Sequence, residues 1–469
     1  MLKSSIKRAT LLATLSVMII FVACRPGKQI VERNKLQVAE NHRYLVTREG
    51  KPFFWLGDTG WLLFGKLSRE EAVKYLEDRK KKGFNVIQVM VLHTVKACNY
   101  YGDSALVNGD VARPLVTPGN VFSNSKQYDF WDHVDYIVDE AAKRGLYMAM
   151  VPVWGTNVKE GYVNSRQAKE YIKFLAERYK NRPNIVWLNG GDIAGSDSTE
   201  VWKTIGSTLK AVDPDHLVTY HPRGRTTSSE WFHKEAWLDF NMFQSGHRRY
   251  DQDTSVKETH HFGEDNWKFI HLDYSRTPAK PTIDGEPSYE GIPQGLHDTL
   301  QPRWKDSDVR RYGYWSVFAG GFGYTYGQNS VMQMHNAKDK TSAYGSHQHW
   351  DEAINEPGAF QMHYLKELML SFPVLERIPD QSLIANQGAR YDYLVATRGK
   401  DYALVYTYTG RTMQINMGKI GAKRVKASWF NPRTGKISSI GTFDNEGVLQ
   451  FDPPGEVGDG NDWVLILKK

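Results

Sequence analysis

Eight stretches of the chain are almost continuously apolar, and stretches with helical periodicity separate them. The apolar stretches are FFWLGD (53–58), NVIQVMVL (85–92), LYMAMVPVW (146–154), NIVWLNG (184–190), HLVTYHP (216–222), DFNMFQS (239–245), PTIDGEP (281–287) and GFGYTYG (321–327). Strands buried on both faces read this way, because neither side of the pleat meets water. Between them SREEAVKYLEDRKKKG opens with a capping box, Ser68 with Glu71, and stops at Gly83. YDFWDHVDYIVDEAAKRG repeats apolar residues at helical spacing to Gly145, and SRQAKEYIKFLAERYKNRP runs from Ser165 to Pro183. Strand–helix alternation of this kind predicts an α/β protein, a (β/α)8 TIM barrel with extended loops. A doubly wound sheet is the alternative, but LGDTGWLLFG after the first strand lacks the glycine spacing of a phosphate loop.

The pattern changes near Asp380. YDYLVATRGKDYALVYTYTG reads as two alternating strands around a turn at Gly399 and Lys400, and DWVLILKK closes the chain as a strand. A small all-β sandwich is expected there. The expected division is 1–23 signal peptide, 24–40 tether, 41–378 catalytic barrel and 379–469 sandwich.

The chain has 469 residues and a formal net charge of +7. A leader holding Lys3, Lys7 and Arg8 would take three cations with it, leaving 57 against 53 acidic side chains, or +4. The densest basic run, DRKKKG (78–83), falls at a helix end, where cations offset the helix dipole. No nucleic-acid partner is expected. Basic residues, an apolar run from Leu11 to Val22, Ala23 and Cys24 resemble a bacterial lipoprotein signal. That resemblance implies acylation of Cys24 and an anchor in the outer membrane, at the periplasmic face or the cell surface. Cys98 is the other cysteine, so neither a disulfide framework nor a cysteine metal site is available. No cofactor is expected. The 14 Trp, 25 Tyr and 20 Phe would suit a carbohydrate cleft, since sugar C–H faces stack on aromatic rings.

In a (β/α)8 barrel the C-terminal strand ends build the active site. The strand ends offer Asp58, His93, Trp154, Asn189 with Asp192, His221, Gln244 with His247, Glu286, and Tyr324 with Tyr326. Two carboxylates stand out, Asp192 after the fourth strand and Glu286 at the end of the seventh. Glycoside hydrolysis needs two such groups, an acid for the leaving oxygen and a base or nucleophile for the anomeric carbon. Gly190 and Gly191 would let the backbone turn Asp192 inward. Asp284 and Glu286, two apart on a strand, are expected on one face, with Gly285 toward the helices. Glu290 is the reserve candidate. Asp58, His93, Asn189, His221 and Gln244 are candidate hydroxyl ligands; Trp61, Trp154, Tyr324 and Tyr326 are candidate stacking surfaces.

GKPFFWLGDTGWLLFGKLSREEAVKYLEDRKKKGFNVIQVMVL, NIVWLNGGD and PTIDGEPSYEG together resemble the apiosidase-like barrel hydrolases, glycoside hydrolase family 140. The C-terminal module resembles the collagen-binding-type β-sandwich found in such proteins. The resemblance implies a catalytic pair at Asp192 and Glu286. It further implies release of an apiose-linked side chain from the pectic polysaccharide rhamnogalacturonan II. A retaining mechanism would have Asp192 as acid and then base, and Glu286 as nucleophile. One rival reading is a non-catalytic surface glycan-binding lipoprotein; another is a barrel glycosidase of different sugar specificity. A barrel metallohydrolase using His260, His261, His347 and His349 is disfavoured, because THHFG and SHQHW lack the paired spacing of a helix-borne zinc site.

Overall fold

The computed structural model describes residues 35–469. Cys24, the signal segment and most of the tether lie outside the described residues.

Eight parallel strands form the barrel wall: β1 (Trp55–Thr59), β2 (Val86–Leu92), β3 (Tyr147–Val153), β4 (Ile185–Ile193), β5 (Val218–Pro222), β6 (Asn241–Gln244), β7 (Thr282–Asp284) and β8 (Gly323–Tyr326). The ladder runs β5-β4-β3-β2-β1-β8-β7-β6, with the short strand Thr226–Thr227 antiparallel beside β6. At the seam between β5 and β6, Asp239 N–H donates to Val218 O at 2.8 Å and the Thr219 hydroxyl donates to Phe240 O at 2.6 Å. These bonds close the cylinder where the ladder stops.

Strand parity divides the side chains into two layers. Trp55, Val86, Met90, Ala149, Val151, Val186, Leu188, Met242 and Ile283 fill the barrel interior. Leu56, Phe243, Tyr324 and Tyr326 point outward and pack with helices α6 (Asp306–Phe318) and α7 (Pro357–Leu370). The expected capping box at Ser68 and Glu71 starts helix α1 (Arg69–Lys81).

The C-terminal region is all-β, a six-stranded antiparallel sheet facing a two-stranded one. It shares a core with the barrel: the Tyr314 and Tyr406 rings stack at 4.7 Å and those of Trp267 and Tyr393 at 4.0 Å. Arg310 on α6 donates to both oxygens of Asp462, at 2.9 and 3.0 Å, with both side chains buried. A bidentate pair in a dry, aromatic setting fixes one unit on the other.

Candidate active site

At the C-terminal end of the barrel lies a cavity of about 630 Å³, whose walls include Trp61, His93, Trp154, Asp192, Gln244 and Glu286. How each side chain reaches it follows from the local backbone.

Asp192 is carried on a bulge. The β4–β5 register shifts between Gly190 and Ile193. Gly190, Gly191 and Asp192 all have left-handed backbones, with φ of 88°, 111° and 50°. Glycine is required at the first two positions: a Cβ on Gly190 would sit 2.6 Å from His221 O, and one on Gly191 would sit 2.6 Å from the Trp154 ring. The bulge lifts Asp192 out of the strand's alternation and into the cavity. Its side chain is open to the cavity, while protein walls surround it on the remaining sides. This confinement, and then the charge on Glu286, raise its pKa to about 6, against the pull of His221, His247 and the Gly224 N–H. Asp192 is therefore the carboxyl that can hold a proton.

Glu286 lies just past β7, where the strand has already ended. Gln88, buried inside the barrel on β2, donates from Nε2 to Gly285 O at 2.8 Å and ties down the preceding peptide. Burial would raise the Glu286 pKa, but the contacts from His221 and His247 outweigh it and hold it down at about 2. His247 Nε2 lies 3.2 Å from Oε1. His221 Nε2 lies 3.2 Å from Oε2, in a bent geometry that leaves both atoms without a well-formed hydrogen bond. The other His221 nitrogen, Nδ1, accepts the backbone N–H of Asp192 at 3.4 Å. This contact orients the ring and leaves Nε2 as the nitrogen that faces Glu286. One imidazole thus touches the backbone of one carboxyl residue and the side chain of the other. The Tyr289 hydroxyl, which accepts from Trp61 Nε1 at 3.2 Å, also reaches Glu286.

The remaining expected ligands divide by strand parity. Trp61, His93, Trp154 and Gln244 line the cavity. His221 stands fully buried behind Glu286 and edge-on to Trp61, with ring centroids at 5.3 Å. Asp58, Asn189, Tyr324 and Tyr326 do not reach the cavity, which corrects their placement at the mouth. Asp58 faces α1, where it accepts from the Tyr75 hydroxyl at 2.6 Å and lies 3.5 Å from Arg79 Nε. Asn189 donates to Trp202 O at 2.8 Å, on the helix side of β4. Tyr324 and Tyr326 belong to the outer core, and the Tyr326 hydroxyl donates to the reserve candidate Glu290 at 2.6 Å. Glu290 also accepts the Gly358 N–H at the start of α7, so it serves as a buried strut. Asp284 and Glu286 do not share a face. Ile283 points into the barrel, and Asp284 points to the outer layer, where Ser245 donates to it at 2.6 Å and Asn266 at 3.0 Å. Gly285 faces inward, since its missing Cβ would lie 2.5 Å from Met242 Sδ.

Sequence reasoning passed over Tyr289, Tyr344, His297, Arg223, Arg225 and Arg248, all lining the cavity, together with the positioning roles of Gln88 and His247. The signal for the arginines was the RGR triplet directly after β5. Arg223, Arg225 and Arg248 converge on Glu258, and Arg225 also meets Asp253 at 3.3 Å. Asp253, Glu258 and His261 come close enough together to suggest a metal site. Their carboxylates are already engaged by these guanidiniums, which compete with any cation for the same oxygens.

The family described as "Apiosidase-like, catalytic domain" matches residues 39–376, and that described as "Putative collagen-binding domain of a collagenase" matches residues 378–468. Among solved structures, one named "Glycoside hydrolase" is 50% identical over 93% of this chain and 97% of its own, with a TM-score of 0.88. A glycoside hydrolase family 5 protein from Bacteroides vulgatus ATCC 8482 is 48% identical over 93% of both chains, also with a TM-score of 0.88. An endo-1,4-beta-D-mannanase from Thermotoga petrophila RKU-1 shares the barrel fold at 15% identity, over 67% of this chain and all of its own, with a TM-score of 0.50. No curated protein matches the chain.

Proposed function

The chain belongs to the apiosidase-like glycoside hydrolases, and from that premise we propose that it cleaves an apiose linkage in the side chains of rhamnogalacturonan II with retention of configuration. The observation that carries the reading is a pair of carboxyls in one cavity held in opposite protonation states, Asp192 near 6 and Glu286 near 2. Between these values the first is an acid and the second an anion, which is the division of labour that glycoside hydrolysis requires, and retention is the outcome proposed for it.

In the first step Asp192 gives its proton to the leaving glycosidic oxygen. Glu286 attacks the anomeric carbon from the opposite face, so a C–O bond forms to the carboxylate as the glycosidic C–O bond breaks. His247 Nε2 lies against Oε1 and His221 Nε2 against the buried Oε2, so the two imidazoles orient the ionised carboxylate for the attack. In the second step Asp192, now ionised, takes a proton from water. That water displaces Glu286 from the sugar, and Asp192 regains its proton. Trp61 and Trp154, with ring centroids 5.3 Å apart, offer the sugar an apolar wall.

The pectic assignment draws support from charge. Arg223 and Arg248 are partly exposed at the cavity wall, and with Arg225 they meet two carboxylates, Glu258 and Asp253, which leaves one guanidinium charge in excess within the cluster. Their unspent positive charge suits an acidic polysaccharide. Gly224, between two of these arginines, donates its N–H to Asp192, which sets them on the side of the leaving sugar. Acylation of Cys24 would hold the enzyme at the outer membrane, where such polysaccharides are met.

The test is product analysis after incubation with rhamnogalacturonan II and simple apiosides, with proton NMR of the anomer first released. Release of apiose-terminated fragments with the anomeric configuration retained is expected. Hydrolysis of other glycans alone would overturn the apiose assignment, and an inverted product would overturn the retaining mechanism. Sugar binding without hydrolysis would return the glycan-binding alternative.

A further inference from the structure

Two loops overhang the carboxyl pair, one after β7 and one after β8. The first brings Leu296 and His297 to the cavity, and the second brings Ala343 and Tyr344. The His297 and Tyr344 rings meet with centroids 5.9 Å apart. Both loops hold non-glycine residues in left-handed conformations at this meeting point, Leu296 at φ 80° and Tyr344 at φ 52°. Such conformations cost free energy and persist only where the surroundings over-determine them.

Arg303 supplies that constraint. Its Nη1 donates to Gly291 O at 2.5 Å in the first loop, and its Nη2 donates to Gly345 O at 2.7 Å in the second. Among the described residues no carboxylate forms an ion pair with Arg303, and its bonding is to carbonyl groups of both loops, with Nη2 also 3.5 Å from His347 Nδ1 in the second loop. Asn329 adds a bond to Tyr344 O at 3.0 Å. Gly345 is packed closely as well: a Cβ there would lie 2.7 Å from Thr299. Tyr344 is near the reacting groups. After burial, the charges of Glu286 and then Asp192 raise its hydroxyl pKa.

The geometry points to Tyr344 as a substrate-contacting residue that closes the cavity over Asp192 and Glu286, and to Arg303 as the positioning residue that clasps the two loops so that it stays there. The substrate role rests on the hydrolase reading above; the clasp does not. Tyr344 would meet a sugar either by its hydroxyl or by its ring face, and Tyr344→Phe separates the two, because it removes only the hydroxyl.

Hydrogen–deuterium exchange of wild type and Arg303→Met tests the clasp without any ligand. Faster exchange in both segments, 291–297 and 343–349, with the distant barrel helices unchanged, is the expected result. Acceleration of one loop alone, or of neither, overturns the clasp. Kinetics on rhamnogalacturonan II oligosaccharides test the substrate role. Losing charge-assisted hydrogen bonds should raise KM roughly tenfold in Arg303→Met, with kcat changed less. Tyr344→Ala should raise KM similarly, and the double variant should be no worse than Tyr344→Ala alone, because both act through one contact. Additive effects, or an unchanged KM in Tyr344→Ala, overturn the substrate role. If the wild-type enzyme leaves these oligosaccharides intact, the substrate assignment fails while the exchange result still decides the clasp.

Discussion

Replacing Gly190 by alanine should damage the site far more than the same change at Gly161, although both glycines have left-handed backbones, with φ of 88° and 82°. At Gly161 no heavy atom lies within 4 Å of the added Cβ. The cost there is the conformational penalty alone, about 1–2 kcal/mol. At Gly190 the Cβ would lie 2.6 Å from His221 O and 2.7 Å from the Tyr220 ring. The first of these is backbone and cannot swing aside. Overpacking of a rigid neighbourhood adds about 1–3 kcal/mol, for a total of about 2–5 kcal/mol. The bulge can relieve the clash only by moving, and Asp192 moves with it. A displacement near 1 Å costs about a hundredfold in rate. Urea denaturation and kcat/KM, measured on both variants, check this. Gly161→Ala should keep full activity. If Gly190→Ala were as stable and as active as Gly161→Ala, the account of the bulge as the carrier of Asp192 would be wrong.

The pH–rate profile of kcat/KM should be a bell with limbs near 2 and 6, because catalysis needs Glu286 ionised and Asp192 protonated; the pair titrates as one coupled unit, and a rate still rising above pH 7 would contradict the assignment. His247→Phe removes a hydrogen bond that favours the ionised form of Glu286, so the acidic limb should move upward while the alkaline limb stays closer to its place. Because the folded pKa of Glu286 lies below its ordinary 4.5, its contribution to stability is fully present above that value and is lost as the pH falls toward 2, which acid-unfolding curves of wild type and Glu286→Gln will show. Arg310→Ala strands a buried Asp462 carboxylate and should cost about 3–5 kcal/mol; because barrel and sandwich share one core, calorimetry should show the loss in the whole cooperative transition, and a separate low-temperature peak for the sandwich alone would argue otherwise.

The barrel was legible in the sequence because parallel strands leave long apolar runs and their helices carry readable caps. The inward or outward direction of each side chain was not. A strand buried on both faces shows no alternation, so Asp58, Asn189, Tyr324 and Tyr326 looked like mouth residues when their parity turns them toward the helices. The residues that do reach the cavity lie mainly where alternation has ended or been broken: Trp61 and His247 beyond β1 and β6, Glu286 beyond β7, and Asp192 on the bulge. The glycine pair before Asp192 foretold that break, because left-handed backbone favours residues without a Cβ. Tyr344 and Arg303 sit in long loops with no periodicity, and their role depends on contacts between segments distant in the sequence. Local pattern carries no record of such contacts.

The most direct test of the catalytic pair is acid-quenched peptide mass mapping of Asp192→Asn incubated with an aryl apioside. Such a leaving group needs no acid to depart, whereas the second step does need the base. The account predicts that a glycosyl mass accumulates on the peptide carrying Glu286 and is absent from the Asp192→Asn/Glu286→Gln double variant. A turned-over substrate with no adduct, or an adduct on any other residue, would contradict it.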